Sequence, residues 1–147
     1  MIFFGTGKKD YENYLKEYVF KHKMENIIHF RGYKSNLREL LSEYDIGMMC
    51  SRSEGFGRTT VEYMASGLIT IASNTGANLE LIKDGEEGFI YKYGDEDDLR
   101  NILTKVIKNY SKFDYIRNNA VNKVVREFDS KINTDKLINK YKKCEEE

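Results

Sequence analysis

Two kinds of hydrophobic pattern alternate along the first two-thirds of the chain. Short apolar runs at residues 2–4, 27–30, 45–50, 69–72 and 88–91 read as strands. Between them lie windows of helical period. A helix capped by Asp10 runs to about residue 23 with Tyr14, Leu15, Tyr18 and Val19 on one face. Ser35 can cap a second, which carries Leu37, Leu40 and Leu41, and further helices are expected over 58–66 and 78–82. Asp84-Gly85 reads as a turn. From residue 95 onward only helical spacing remains, over about 95–109, 112–126 and 132–144. Strands that alternate with helices and are apolar throughout predict a parallel sheet covered on both faces. The expected fold class is therefore α/β, a layer sandwich with a helical C-terminal segment.

Composition narrows the function more than the fold. At 147 residues the chain has the length of one domain. Its 24 basic and 24 acidic residues cancel, which argues against a dedicated nucleic-acid binder. No apolar run reaches the roughly 18 residues of a membrane span, so a soluble chain is expected. Cys50 and Cys144 lie far apart; Cys50 ends an apolar run and is expected in the core, and the pair suits a reducing compartment, hence the cytoplasm. His22, flanked by lysines, reads as a solvated helix end and His29 as a packed or edge residue; no zinc spacing exists and no metal is expected. The chain contains no proline, and Met1 is followed at once by the core-type run Ile2-Phe3-Phe4, which suggests a fragment.

The candidate chemistry sits at the carboxyl ends of the expected strands, where open parallel sheets bind ligands. Three glycine turns fall there: Gly5-Thr6-Gly7, Arg31-Gly32-Tyr33 and Glu54-Gly55-Phe56-Gly57. Glycine lets a backbone approach a ligand closely. A helix starting at Gly57 or Arg58 would aim its free N–H groups and positive dipole end into the crevice, where a diphosphate is favoured. Glu62 would lie about 6 Å further along the axis, with Glu54 overhanging from the loop. A ligand with a central diphosphate and a hydroxyl-rich group at each end suits two carboxylates so placed. A nucleoside diphosphate sugar has that shape. Arg58 can touch the diphosphate or face solvent, and Lys8 and Lys9 can meet a phosphate or simply be exposed.

The same residues carry a family resemblance. Glu54-Gly55-Phe56-Gly57 followed by Glu62-Tyr63-Met64-Ala65-Ser66-Gly67 resembles the E-x7-E signature of retaining GT-B glycosyltransferases, family 4 above all. Gly5-Thr6-Gly7, Phe30-Arg31-Gly32, Asp45-Ile46, Cys50-Ser51, Ser73 to Glu80 and Gly85 to Gly88 match further motifs of that family in order, over residues 1 to about 100. The resemblance implies a Rossmann-like donor domain, the C-terminal half of a GT-B enzyme, occupying residues 1–147 as one domain with 95–147 all helical. It implies that the domain's first strand and the N-terminal acceptor domain are absent from this chain. By position, Glu62 would hold the donor's ribose, and Glu54 would contact the sugar as the catalytic carboxylate. Gly55, Phe56 and Gly57 would hold sugar hydroxyls or phosphate, and Gly32 and Tyr33 would lie beside the base. Arg58, Gly5 and Gly7 complete the expected donor contacts. The implied reaction is hexosyl transfer with retention to a glycan or lipid acceptor, with the nucleotide sugar as substrate and no cofactor, and with an isolated fragment inactive.

The sequence departs from the family pattern at Ile69 and Cys50, which stand where proline is usual, and lacks the G-R…K segment whose cations neutralise the diphosphate. Three other readings stay open. One is a GT-B-type sugar-nucleotide epimerase, one a sugar phosphorylase, and one a non-catalytic binding or scaffold module. The aromatic residues between 110 and 128 look like core, and the lysines 136, 140, 142 and 143 suit either an exposed face or peripheral contact with an anionic membrane.

Overall fold

Each of the five described strands pairs in parallel, but hydrogen bonding divides them between two sheets rather than one. The computed structural model describes residues 1–129 together with 131, 134 and 138. It falls into two compact units, Met1–Glu39 and Leu40–Glu147.

In the first unit, β1 (Ile2–Phe3) pairs with β2 (His29–Phe30), and the rings of Phe3 and Phe30 stack with centroids 5.2 Å apart. Parallel neighbours need a crossover, here supplied by α1 (Lys9–Lys21). Asp10 does not cap α1 as expected; Lys8 holds the N-cap position without a side-chain bond, and Asp10 lies in the first turn. The expected buried face is also narrower. Val19 is buried and Leu15 half-buried, while Tyr14 and Tyr18 are exposed, stacked on Tyr11 and leaning on His22. A tyrosine keeps its hydroxyl in water at a position where valine has no polar group to hydrate. Ser35 stands in the turn before α2 (Leu37–Leu40), one residue too early to cap it. That helix is a single turn continued by a 3-10 turn at Leu41–Glu43.

The second unit is a three-stranded sheet in the order β3 (Ile46–Met49), β4 (Ile69–Ser73), β5 (Phe89–Tyr91), with Ile46 opposite Ile69 and Ile71 opposite Phe89. The crossovers are α3 (Arg58–Ala65) and α4 (Asn78–Leu81). All five residues of β4 are buried, as expected for a central parallel strand. One core cluster joins Ile69, Ile71 and Phe89 to Val106 of α5 (Glu96–Lys108) and Ile116 of α6 (Asp114–Phe128). Another joins Ala72 to Met64, Leu81, Ile82 and Ala120. Asp95 caps α5, accepting the Asp98 N–H at 3.0 Å.

Two packing expectations change here. Cys50 is exposed, because the β3 ladder ends at Met49 opposite Ala72 and leaves Cys50 beyond the sheet. Among the aromatic residues after 110, Phe113 is buried and Phe128 half-buried, but Tyr115 is exposed and donates its hydroxyl to the Gly85 carbonyl at 3.2 Å. The helix expected over 132–144 lies, apart from residues 134 and 138, outside the described residues. The lysines 136, 140, 142 and 143, Cys144 and the tail 145–147 lie outside them too.

Candidate functional site

The segment between β3 and α3 is held from both ends. At its start the Ser51 carbonyl accepts hydrogen bonds from the Ser73 hydroxyl at 2.8 Å and the Thr75 hydroxyl at 2.9 Å. In its middle the Glu54 carbonyl accepts the Ala77 N–H at 2.9 Å. At its end Gly57 takes the N-cap position of α3 in the left-handed conformation, φ 77°. Its φ favours glycine, and a Cβ there would also have to displace the end of the Leu81 side chain.

No side chain caps α3. The first intrahelical bond runs from the Val61 N–H to the Gly57 carbonyl at 2.9 Å, so the N–H groups of Arg58, Thr59 and Thr60 have no acceptor within the helix. That terminus is the positive pole of the helix dipole and offers donors to an anion. Glu54 and Glu62 are both half-buried, one in the loop before this terminus and one in the second turn. Gly55, Phe56 and Arg58 are exposed, and the Phe56 ring meets Phe128 edge-on at 6.2 Å. Beside Glu62, Tyr63 packs over Gly47, where a Cβ would meet the ring at 2.5 Å. Burial raises the Tyr63 phenol above its ordinary range, and the neighbouring Cys50 and Glu62 charges push the same way.

In the first unit, the turns that follow β1 and β2 are joined by a bond from the Gly5 N–H to the Gly32 carbonyl at 2.8 Å. Gly5, Gly7 and Tyr33 are exposed. The predicted residues thus fall in two groups, Gly5, Gly7, Gly32 and Tyr33 in one unit and Glu54 to Arg58 with Glu62 in the other. Among the described residues there is no cluster of acidic, histidine or cysteine side chains that could hold a metal, and no helix long and apolar enough to cross a membrane.

Sequence reasoning missed the residues that brace the loop. Thr60 and Asn78 are fully buried and joined at 2.8 Å, and Asn78 donates to the Ser73 carbonyl at 3.2 Å. Gly76, with φ 52°, lies so close to Glu54 that a Cβ would overlap its carbonyl oxygen. The usable signal was the Ser73 to Glu80 stretch, whose small and polar residues mark a shaped turn.

A parallel sheet followed at its carboxyl end by a glycine-shaped loop, an uncapped helix terminus and two carboxylates has the arrangement of a Rossmann-like domain. The chain belongs to the family of glycosyl transferases group 1, which matches residues 1–123. It is 33% identical over 88 residues to the GtfA subunit of a UDP-N-acetylglucosamine–peptide N-acetylglucosaminyltransferase from Streptococcus pneumoniae, covering 59% of this chain and 17% of that protein. Identity is 26% over 141 residues to the Escherichia coli UDP-Gal:α-D-GlcNAc-diphosphoundecaprenol α-1,3-galactosyltransferase, covering 95% of this chain and 36% of that one. Among solved structures, Anabaena HepE in complex with UDP is similar with a TM-score of 0.90 and 27% identity, over 97% of this chain and 40% of that chain. The chain therefore spans well under half the length of these relatives, and its architecture is that of GT-B glycosyltransferases.

Proposed function

We propose that residues 1–147 form the donor-binding domain of a glycosyltransferase and hold a nucleotide diphosphate sugar. The observation that carries this reading is the uncapped N-terminus of α3, set between Glu54 and Glu62 behind a loop pinned at Ser51 and Glu54. Diphosphate oxygens accept from the free amides of Arg58 and Thr59, with the Arg58 side chain beside them. Glu62 accepts from the ribose hydroxyls. Glu54 contacts the sugar, as do the N–H groups of Gly55, Phe56 and Gly57. For Gly5, Gly7, Gly32 and Tyr33 the proposal rests on the family resemblance alone. The UDP held by the Anabaena relative makes uridine the first base to test.

The parent enzyme transfers a hexose with retention of configuration to a glycan or lipid acceptor that a separate domain binds. The acceptor oxygen attacks the anomeric carbon on the face the diphosphate leaves, and the leaving diphosphate takes up the acceptor's proton. Its compartment is the cytoplasm, which suits two isolated cysteines; peripheral contact with a membrane would bring it to lipid acceptors. Calorimetric titration with UDP, GDP and ADP tests the reading. One of the three should bind, and Glu62→Ala should weaken it about tenfold, the loss of a charge-assisted hydrogen-bond pair. Absence of binding by all three, or binding indifferent to Glu62→Ala, contradicts it.

A further inference from the structure

The turn between β4 and α4 has little regular structure of its own, since α4 is one turn long. Its shape comes from a buried side chain. Asn78 accepts the Thr60 hydroxyl at 2.8 Å through Oδ1 and donates through Nδ2 to the Ser73 carbonyl at 3.2 Å. All three residues are fully buried. Asn78 thereby ties the first turn of α3 to the end of β4 and closes the loop that contains Thr75, Gly76 and Ala77. Each of those three residues touches the Glu54 loop. Thr75 donates to the Ser51 carbonyl, Gly76 abuts the Glu54 carbonyl, and Ala77 donates to it.

We propose that the Thr60–Asn78 pair is a positioning device that sets the conformation of the loop from Ser51 to Gly57, and with it the place of Glu54 and the loop amides. Both side chains are fully buried and act only through that loop. The functional consequence rests on the donor-site reading above; the conformational one does not.

A purely stabilising pair and a positioning pair respond differently when both partners are made apolar. Asn78→Leu alone strands the Thr60 hydroxyl in the core and lowers the melting temperature. Adding Thr60→Val removes the stranded group, and replacing both partners by apolar residues of similar shape is close to neutral for stability. The test compares the parent protein with Asn78→Leu, with Asn78→Leu/Thr60→Val, and with Thr60→Ser, which keeps the hydroxyl. Readouts are melting temperature, amide hydrogen exchange over residues 51–57, and titration with UDP, GDP and ADP.

The double variant should regain most of the lost melting temperature. Its 51–57 amides should still exchange about tenfold faster than the parent's, and its nucleotide affinity should stay about tenfold weaker, the equivalent of one net buried hydrogen bond. Thr60→Ser should behave as the parent. A double variant that regains slow exchange and affinity together with melting temperature overturns the proposal and leaves the pair merely stabilising. If none of the three nucleotides binds the parent, the donor reading fails, and the exchange of residues 51–57 decides the positioning claim by itself.

Discussion

The two units use glycine at their strand ends for different physical reasons. In the first, Gly7 has open space around the place a Cβ would occupy, and its turn is fastened by the backbone bond from Gly5 to Gly32. In the second, Gly57 and Gly76 are left-handed and the place a Cβ would occupy is already filled, at Gly57 by Leu81 and at Gly76 by the Glu54 carbonyl. A sequence motif of glycines looks the same in both cases. Only the second is a packed element, where the absence of a side chain is part of the fit between two loops. The Glu54 loop is thus a built structure, while the Gly5-Thr6-Gly7 turn is an open one.

Alanine substitutions break that contrast most directly. Gly76→Ala combines an unfavourable left-handed backbone with overlap against a main-chain carbonyl that has no rotamer to escape into. It should lower unfolding free energy by about 2–5 kcal/mol in a denaturant titration. Gly57→Ala should cost somewhat less, about 1–3 kcal/mol, since the atom it meets is the end of the Leu81 side chain. An effect of either substitution no larger than that of a surface mutation would show that the loop is not packed as described.

A third prediction concerns alkaline pH and is confined to the second unit. Burial raises the phenols of Tyr63 and Tyr91 above the ordinary value of 10.0, for Tyr91 with help from its hydrogen bond to Cys50. Because the folded values are the higher ones, this stabilisation is fully present below pH 10.0 and is lost as pH rises through the folded values. Thermal stability should therefore be insensitive to these groups near neutrality and fall above about pH 10 by up to about 1.4 kcal/mol per pH unit per tyrosine. Tyr91→Phe should flatten the slope by one proton's worth; an unchanged slope counts against the assignment. The smallest effect is expected for Gly7→Ala, within about 0.5 kcal/mol of the parent, because the new methyl group meets nothing within 4 Å.

How far the sequence could be read follows from which groups advertise their environment. Ile69 to Ala72 and Ile46 to Met49 are legible because a strand buried on both faces is apolar throughout. The start of α3 was legible because Gly57 follows a strand and a short polar loop. Thr60, Ser73 and Asn78 were not, since a lone polar residue in a helix or at a strand end usually faces water, and their partners lie up to 22 positions away. Tyr14 and Tyr18 matched a helical apolar face yet stay exposed, because spacing cannot tell whether a neighbouring surface reaches them. Cys50 matched the end of an apolar run, but the ladder stops one residue earlier.

In the proposed donor site Glu54 and Glu62 hold opposite ends of one ligand. Saturation-transfer NMR with UDP-glucose tests it directly on the parent protein, Glu54→Gln and Glu62→Gln. Glu62→Gln should reduce transfer to the ribose protons more than to the glucose protons, and Glu54→Gln should do the reverse. Both substitutions weakening the same end, or transfer to UDP-glucose that neither alters, would contradict the account.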